Sequence, residues 1–326
     1  MAVYTHVSAE ALAAFLERYD VGELVSAKGI AEGVENTNYL VDTTRGRFFL
    51  TLYEKRVRAD DLPFFLALLD HLAMHGCPVP TTIKDRQGIA LQQLEGRTAC
   101  LIQFLPGVSP SHPTPAQAGA VGQALAKMHL ASADFQGSRP NSMGLDSWQP
   151  LFDRCGASLN EIAPSLYDDL GQAIGKLQRD WPAGATASGG AHNVIHADLF
   201  PDNVLMRGAQ VTGLIDFYFA CSDSRRYDLA ITHSAWSFDA TGSNFNPEIG
   251  NALIDGYEIH FASDPIERAE FNTLASGACV RFTLSRAWDW LNTPADALVT
   301  RKDPMAYWRR YKHYDPDMAA TMKSLA

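Results

Sequence analysis

The hydrophobic pattern divides this chain into an early part with short, strand-length apolar segments and a longer later part with helical spacing. At the start, Ser8 and Glu10 accompany Leu12, Phe15 and Leu16, the pattern of a capped amphipathic helix. Strand-like segments follow at residues 25–31, 38–42 and 47–53, the last two joined by the turn Thr43-Thr44-Arg45-Gly46. Leu62, Phe65, Leu66, Leu69 and Leu72 then recur at helical spacing over residues 61–74, and His75-Gly76 ends the run. Pro78 and Pro80 open a connector, and residues 89–94 and 98–104 read as a hairpin across Glu95-Gly96. Three strands, a helix and two strands predict a small lobe built on one mainly antiparallel, five-stranded sheet.

A proline-rich stretch at 106–115 closes that part. Residues 116–130, 149–161, 167–179, 228–236, 247–261, 265–291 and 303–325 read as helices, and 183–190 as a loop of small residues. Two short apolar runs, 193–195 and 211–215, interrupt the helices as strands. The predicted class is α+β, with a sheet-bearing lobe over residues 1–103 and a mainly helical lobe over 104–326.

Each of those two late strands delivers polar residues. The first runs into His196-Ala197-Asp198-Leu199-Phe200-Pro201-Asp202-Asn203, the second into Asp216-Phe217-Tyr218. A hydroxyl is a weak nucleophile, so transferring a phosphoryl group to one calls for a carboxylate that orients it and takes its proton; Asp198 is the candidate. Mg²⁺ prefers hard oxygen ligands and retains water, so Asn203 and Asp216 suffice as protein ligands. A neutral Asn203 also adds no second negative charge beside Asp198. Taken alone, an Asp and an Asn at this spacing are an ordinary polar loop between strands. The surrounding His, Pro-Asp and strand-Asp-Phe point instead to an ATP-dependent kinase.

Composition narrows the partners. The 326 residues are 46% hydrophobic and 20% charged, enough for a large core. A net charge of −10, with no run of Lys or Arg longer than two, argues against nucleic acid or an anionic membrane and leaves a small-molecule substrate. Five scattered cysteines form no C-x-x-C pair, and the N-terminus lacks a basic start and apolar core. The expected location is therefore the cytoplasm.

The order of elements, with His196-x-Asp198-x-x-x-x-Asn203 and Asp216-Phe217, resembles the aminoglycoside phosphotransferase-like branch of the protein-kinase fold. Within it the chain is similar to the homoserine kinases of bacterial threonine biosynthesis, over nearly its whole length. The segments that carry this are Gly33-Val34-Glu35-Asn36-Thr37-Asn38-Tyr39, Phe49-Leu50-Thr51-Leu52-Tyr53-Glu54-Lys55-Arg56, Asp61-Leu62-Pro63-Phe64-Phe65, the Asp198 loop and Ile215-Asp216-Phe217-Tyr218-Phe219-Ala220.

That resemblance implies two lobes with ATP between them, a hinge over 101–107, and adenine pairing with backbone near Gln103 and Leu105. It places Gly33, Asn36 and Asn38 near the phosphates or the acceptor. His196 is a catalytic candidate beside Asp198, either bracing the loop through a bond to a backbone carbonyl or taking part in the chemistry. Asp228 resembles the acidic residue that ties this loop down, with an N-cap as the plain alternative. Such kinases carry a phosphate-binding Lys on the third strand; here that position is Thr51, and Lys55, Arg47 or Arg56 is the candidate substitute. A homoserine acceptor needs a cation for its carboxylate and an acid for its ammonium. The candidates are Arg281 and Arg286, with Arg225 and Arg226 behind them, and Asp202 or Asp223. The alternatives are a kinase acting on another amino alcohol, choline-like compound, aminoglycoside or sugar, and a nucleotide-binding pseudokinase.

Overall fold

The structure, a computed structural model, describes residues 4–30, 36–54, 59–183, 193–293 and 301–317. Helix α1 (Ala9–Leu16) is capped by the Ser8 hydroxyl, which accepts from the Ala11 N–H. It lays Leu12, Phe15 and Leu16 on a sheet formed by β1 (Leu24–Ile30), β2 (Thr37–Thr43) and β3 (Gly46–Leu52). After α2 (Leu62–Met74) come β4 (Thr82–Ile83), β5 (Leu91–Leu94) and β6 (Arg97–Gln103). Strands run in the order β1-β2-β3-β6, all pairs antiparallel, with β4 and β5 both on the outer edge of β6. Strict alternation along β2 buries Tyr39 and Val41 against Leu50, Leu52 and Leu101, the apolar face expected of a half-buried strand.

The five predicted strands are all present, and the sheet has a sixth. β5 pairs only with residues 97–100 of β6, which leaves the edge at Leu101 and Ile102 open. β4 fills it, two residues long and inside what the sequence shows only as a proline-flanked connector. An unpaired edge beside a buried strand needs such cover.

The later part begins with α3 (Pro115–Ala131), whose Thr114 and Gln117 form a reciprocal capping box. α4 (Leu145–Cys155), α5 (Leu159–Ile162) and α6 (Leu166–Asp180) follow; the predicted helix over 149–161 is broken at Gly156, where φ is 55°. Next are β7 (Asn193–Ile195), β8 (Val204–Arg207), β9 (Gln210–Leu214) and β10 (Cys221–Asp223), with β10 antiparallel to β7. The chain closes with α7 (Arg225–Trp236), α8 (Pro247–Glu258), α9 (Pro265–Asn292) and α10 (Pro304–Tyr314). α9 opens on an Asp264–Glu267 capping box and is buried on every side over residues 274–284, as befits the helix on which α4, α6, α7 and α10 pack.

Two compact units result: Met1–Gly107 with Thr212–Tyr218, and Val108–Val211 with Phe219–Ala326. The sequence suggested a single break at 103/104, with 212–218 in the later lobe. That segment is held by the first unit: the Leu214 N–H donates to the Pro78 carbonyl (2.7 Å), and the Tyr218 ring meets Tyr53 and Phe65 edge-on. All five cysteines are buried, and burial pushes the Cys100 and Cys221 thiols up to about 12. No helix among the described residues is long and apolar enough to cross a membrane.

Candidate active site

In the second unit, β7 ends at Ile195 and the chain enters the loop carrying Asp198. His196 is fully buried; its backbone N–H donates to Asp228 Oδ2 at 2.8 Å, and its ring Nδ1 accepts from the Asp198 N–H at 3.3 Å. Ala197 is left-handed, with φ 63°. Its N–H donates to Asp228 Oδ1 (2.8 Å) and its carbonyl accepts from Arg281 (2.6 Å). A short 3-10 turn, Pro201–Asn203, brings Asn203 back, so that its Nδ2 donates to the Asp198 carbonyl (2.7 Å) and to Asp198 Oδ2 (3.2 Å). With its nitrogen turned to Asp198, the Asn203 side-chain oxygen accepts from no described residue.

Asp228 is the anchor beneath this loop. Ser224 caps α7, so Asp228 is not the N-cap; it lies one turn inside, fully buried. Besides the two loop N–H groups it accepts from His129 Nε2 (3.0 Å), whose other ring nitrogen is 2.8 Å from the Tyr257 hydroxyl. Burial works to raise the Asp228 carboxyl. The hydrogen bond and charge of His129, together with His196, outweigh it and hold the group below the usual carboxylate value. The His196 ring is fully buried against the loop, a setting that suits a brace better than the catalytic part the sequence also allowed. His129, near the end of α3, joins this network only because the fold brings residues 129 and 228 together.

The first unit carries Asp216, exposed on a left-handed residue (φ 66°) just beyond β9, while its neighbour Phe217 is buried. In the same unit Asn38 and Thr51 face each other across β2 and β3, and the Thr51 hydroxyl donates to Asn38 Oδ1 (2.8 Å). Asn36 Oδ1 accepts from the Glu54 N–H (3.3 Å). Both asparagines therefore engage their oxygens, and their NH₂ groups donate to no described residue. Gln103 has its backbone N–H taken by the Thr81 carbonyl, whereas the Leu105 N–H and C=O bond to no described residue. Arg47, a candidate for the role of the strand lysine, is held bidentately by Asp42 at 2.6 and 3.2 Å. Gly33, Lys55 and Arg56 lie outside the described residues.

Residues 26–267 match the model of the phosphotransferase enzyme family. The chain belongs to the phosphotransferase enzyme family. It is 52% identical to a homoserine kinase of Nitrobacter winogradskyi over 96% of this chain and 94% of the relative. It is 48% identical to one of Gluconobacter oxydans over 96% and 98%. Among solved structures it is similar to a spectinomycin phosphotransferase in complex with ADP and spectinomycin (TM-score 0.68, 14% identity, 98% and 99% covered). An amicoumacin kinase in complex with AMP-PNP, Ca²⁺ and its ligand has a TM-score of 0.69 at 13% identity, 95% and 94% covered. At such identities these two share the fold.

Within this phosphotransferase the predicted acceptor residues separate. Arg281 is only 2% exposed and its guanidinium is engaged by the loop, which corrects its assignment to substrate. Arg225 and Arg226 are paired with Glu267 and Glu270 on α9, and Asp223 accepts from Asn141 and the Ser224 N–H. Arg286 differs. It is half-buried over the Tyr307 ring (4.6 Å), and among the described residues it donates to the Asp303 carbonyl. Burial, aided by the nearby Arg310, lowers its pKa, opposed by Tyr307, Asp198 and Asp303. Asp202 is exposed, its carboxylate 3.9 Å from Lys302.

Proposed function

We propose that this phosphotransferase moves the γ-phosphoryl group of ATP to the side-chain hydroxyl of L-homoserine, giving O-phospho-L-homoserine for threonine biosynthesis. The observation that carries this is the near-full-length identity of about half to homoserine kinases, in a chain whose loop presents Asp198 and Asn203 in hydrogen-bonded contact.

Asp198 receives the acceptor hydroxyl and removes its proton as the phosphoryl group departs from ADP. Asn203 holds that carboxylate by a neutral amide, orienting it without a competing negative charge. Asn203 and Asp216 are the proposed ligands of Mg²⁺. The donor set fits: both offer hard oxygens, and the Asn203 oxygen accepts from no residue among those described. When bound, the ion offsets charge on the phosphates. Asn36 and Asn38, with their NH₂ groups available, are suited to donate to phosphate oxygens, and the Leu105 peptide groups to adenine. Arg286 is proposed to take the acceptor's carboxylate and Asp202 its ammonium. The intact loop favours transfer over a nucleotide-binding protein without activity.

The test is ADP release with ATP, Mg²⁺ and a panel of acceptors. Turnover with L-homoserine supports the reading. Turnover only with another amino alcohol, choline, an aminoglycoside or a sugar replaces the acceptor, and nucleotide binding without turnover on any acceptor removes the activity.

A further inference from the structure

Ala197, immediately before Asp198, has a Cβ and yet adopts the left-handed conformation, which sterically disfavours such a residue. It lies beyond the last paired residue of β7, Ile195, and is fully buried, so neither the sheet nor water satisfies its backbone. Charged side chains from two helices do so. Asp228 of α7 takes the Ala197 N–H, and Arg281 of α9 donates to its carbonyl at 2.6 Å.

The carbonyl that Arg281 grips belongs to the peptide group joining Ala197 to Asp198. The N–H of that same group donates to the His196 ring. The peptide plane is therefore held at both of its polar atoms, and it cannot turn without breaking a buried bond. Arg281 itself pairs with no carboxylate among the described residues, and its Nε has no hydrogen-bond partner. Its guanidinium carbon lies 4.5 Å from the Phe282 ring centroid and 5.7 Å from that of Phe219. Burying a guanidinium without a carboxylate is unfavourable, and the bond to this one carbonyl is what the arrangement secures.

We propose that Arg281 is a positioning residue for phosphoryl transfer: with Asp228 and His196 it locks the Ala197–Asp198 peptide and thereby sets the direction in which the Asp198 side chain leaves the loop. The inference rests on Asp198 being the carboxylate that receives the acceptor hydroxyl.

Arg281→Met removes the donor and keeps most of the buried volume. In folded, nucleotide-binding protein, kcat is expected to fall by about tenfold or more while KM for ATP and for acceptor stays within about twofold, since geometry at the reacting carboxylate is lost and binding is not. Adding Ala197→Gly removes the steric objection to positive φ, so the loop keeps its conformation without the clamp and kcat recovers by about threefold or more. Should Arg281→Met not fold, Arg281→Lys, which retains a buried cation with a different reach, carries the same pair of measurements with a smaller loss. An unchanged kcat in Arg281→Met, a raised acceptor KM with normal kcat, or no recovery on adding Ala197→Gly overturns the proposal alone. Wild-type protein that transfers phosphate to no acceptor overturns the Asp198 reading and this one together.

Discussion

At the scale of single residues, the loop from His196 to Asn203 holds the proposed catalytic pair, and much of it was legible in the sequence. The spacing of Asp198 and Asn203 is local, and the structure joins the pair by a 3.2 Å hydrogen bond within one turn. Replacing Asp198 by Asn should lower kcat by about 10²–10⁴-fold, the usual contribution of a positioned base, with ATP binding retained; equal losses in both would place Asp198 elsewhere. Asp216→Ala should raise the divalent-metal concentration needed for half-maximal rate, and an unaltered metal dependence would rule out that ligand. Arg286→Ala should raise the KM for L-homoserine by about thirtyfold or more, as for loss of a buried charge-assisted pair. It should spare an amino alcohol that lacks the carboxylate; an equal loss on both would make Arg286 part of the scaffold. Which arginine is open to solvent was not legible. Arg281 and Arg286 sit on one helix, and only packing shows that the first turns inward to the loop and the second remains half-exposed.

Among elements, helix and strand identities follow from periodicity, while their junctions follow from contacts. α3 and α8 illustrate the difference. The sequence marks each as a helix, but their close approach depends on glycines that face the partner backbone. A Cβ at Gly122 would fall on the Leu253 carbonyl oxygen, and one at Gly256 on the Gly119 carbonyl oxygen. Gly122→Ala should therefore destabilise the protein by about 1–3 kcal/mol, the cost of overpacking, read as a lower urea midpoint. No change would mean the helices separate freely. This pair also carries His129 and Tyr257, so its spacing bears on the support beneath Asp228. β4 shows the opposite limit. Two residues carry no periodicity, and Thr82–Ile83 becomes a strand only because β5 leaves part of β6 uncovered.

For the molecule as a whole, buried polar groups couple stability to pH. His233 lies inside the second unit, its Nδ1 2.6 Å from the Tyr314 hydroxyl, with the rings of Phe245, Phe271 and Tyr314 around it. Burial, aided by the nearby His313, pushes its pKa from 6.5 down to about 3. The unfolded chain then takes up a proton near pH 6.5 that the folded chain refuses, so this contribution is intact above that pH and is lost as pH falls toward 3. Between about pH 7 and about pH 5.5 it amounts to about 1 kcal/mol. Urea denaturation at both pH values should show the drop, and His233→Gln should shrink it; an equal drop in the variant would assign it to other groups. The sequence by itself determined the class of fold, its longer strands and helices in their order, and the loop that pairs Asp198 with Asn203, because each depends on neighbours within a few positions. Tertiary structure alone decided which buried charges hold that loop, which of Arg281 and Arg286 stays open to solvent, and that residues 212–218 join the first unit. Those outcomes depend on side chains distant along the chain finding partners where water cannot serve.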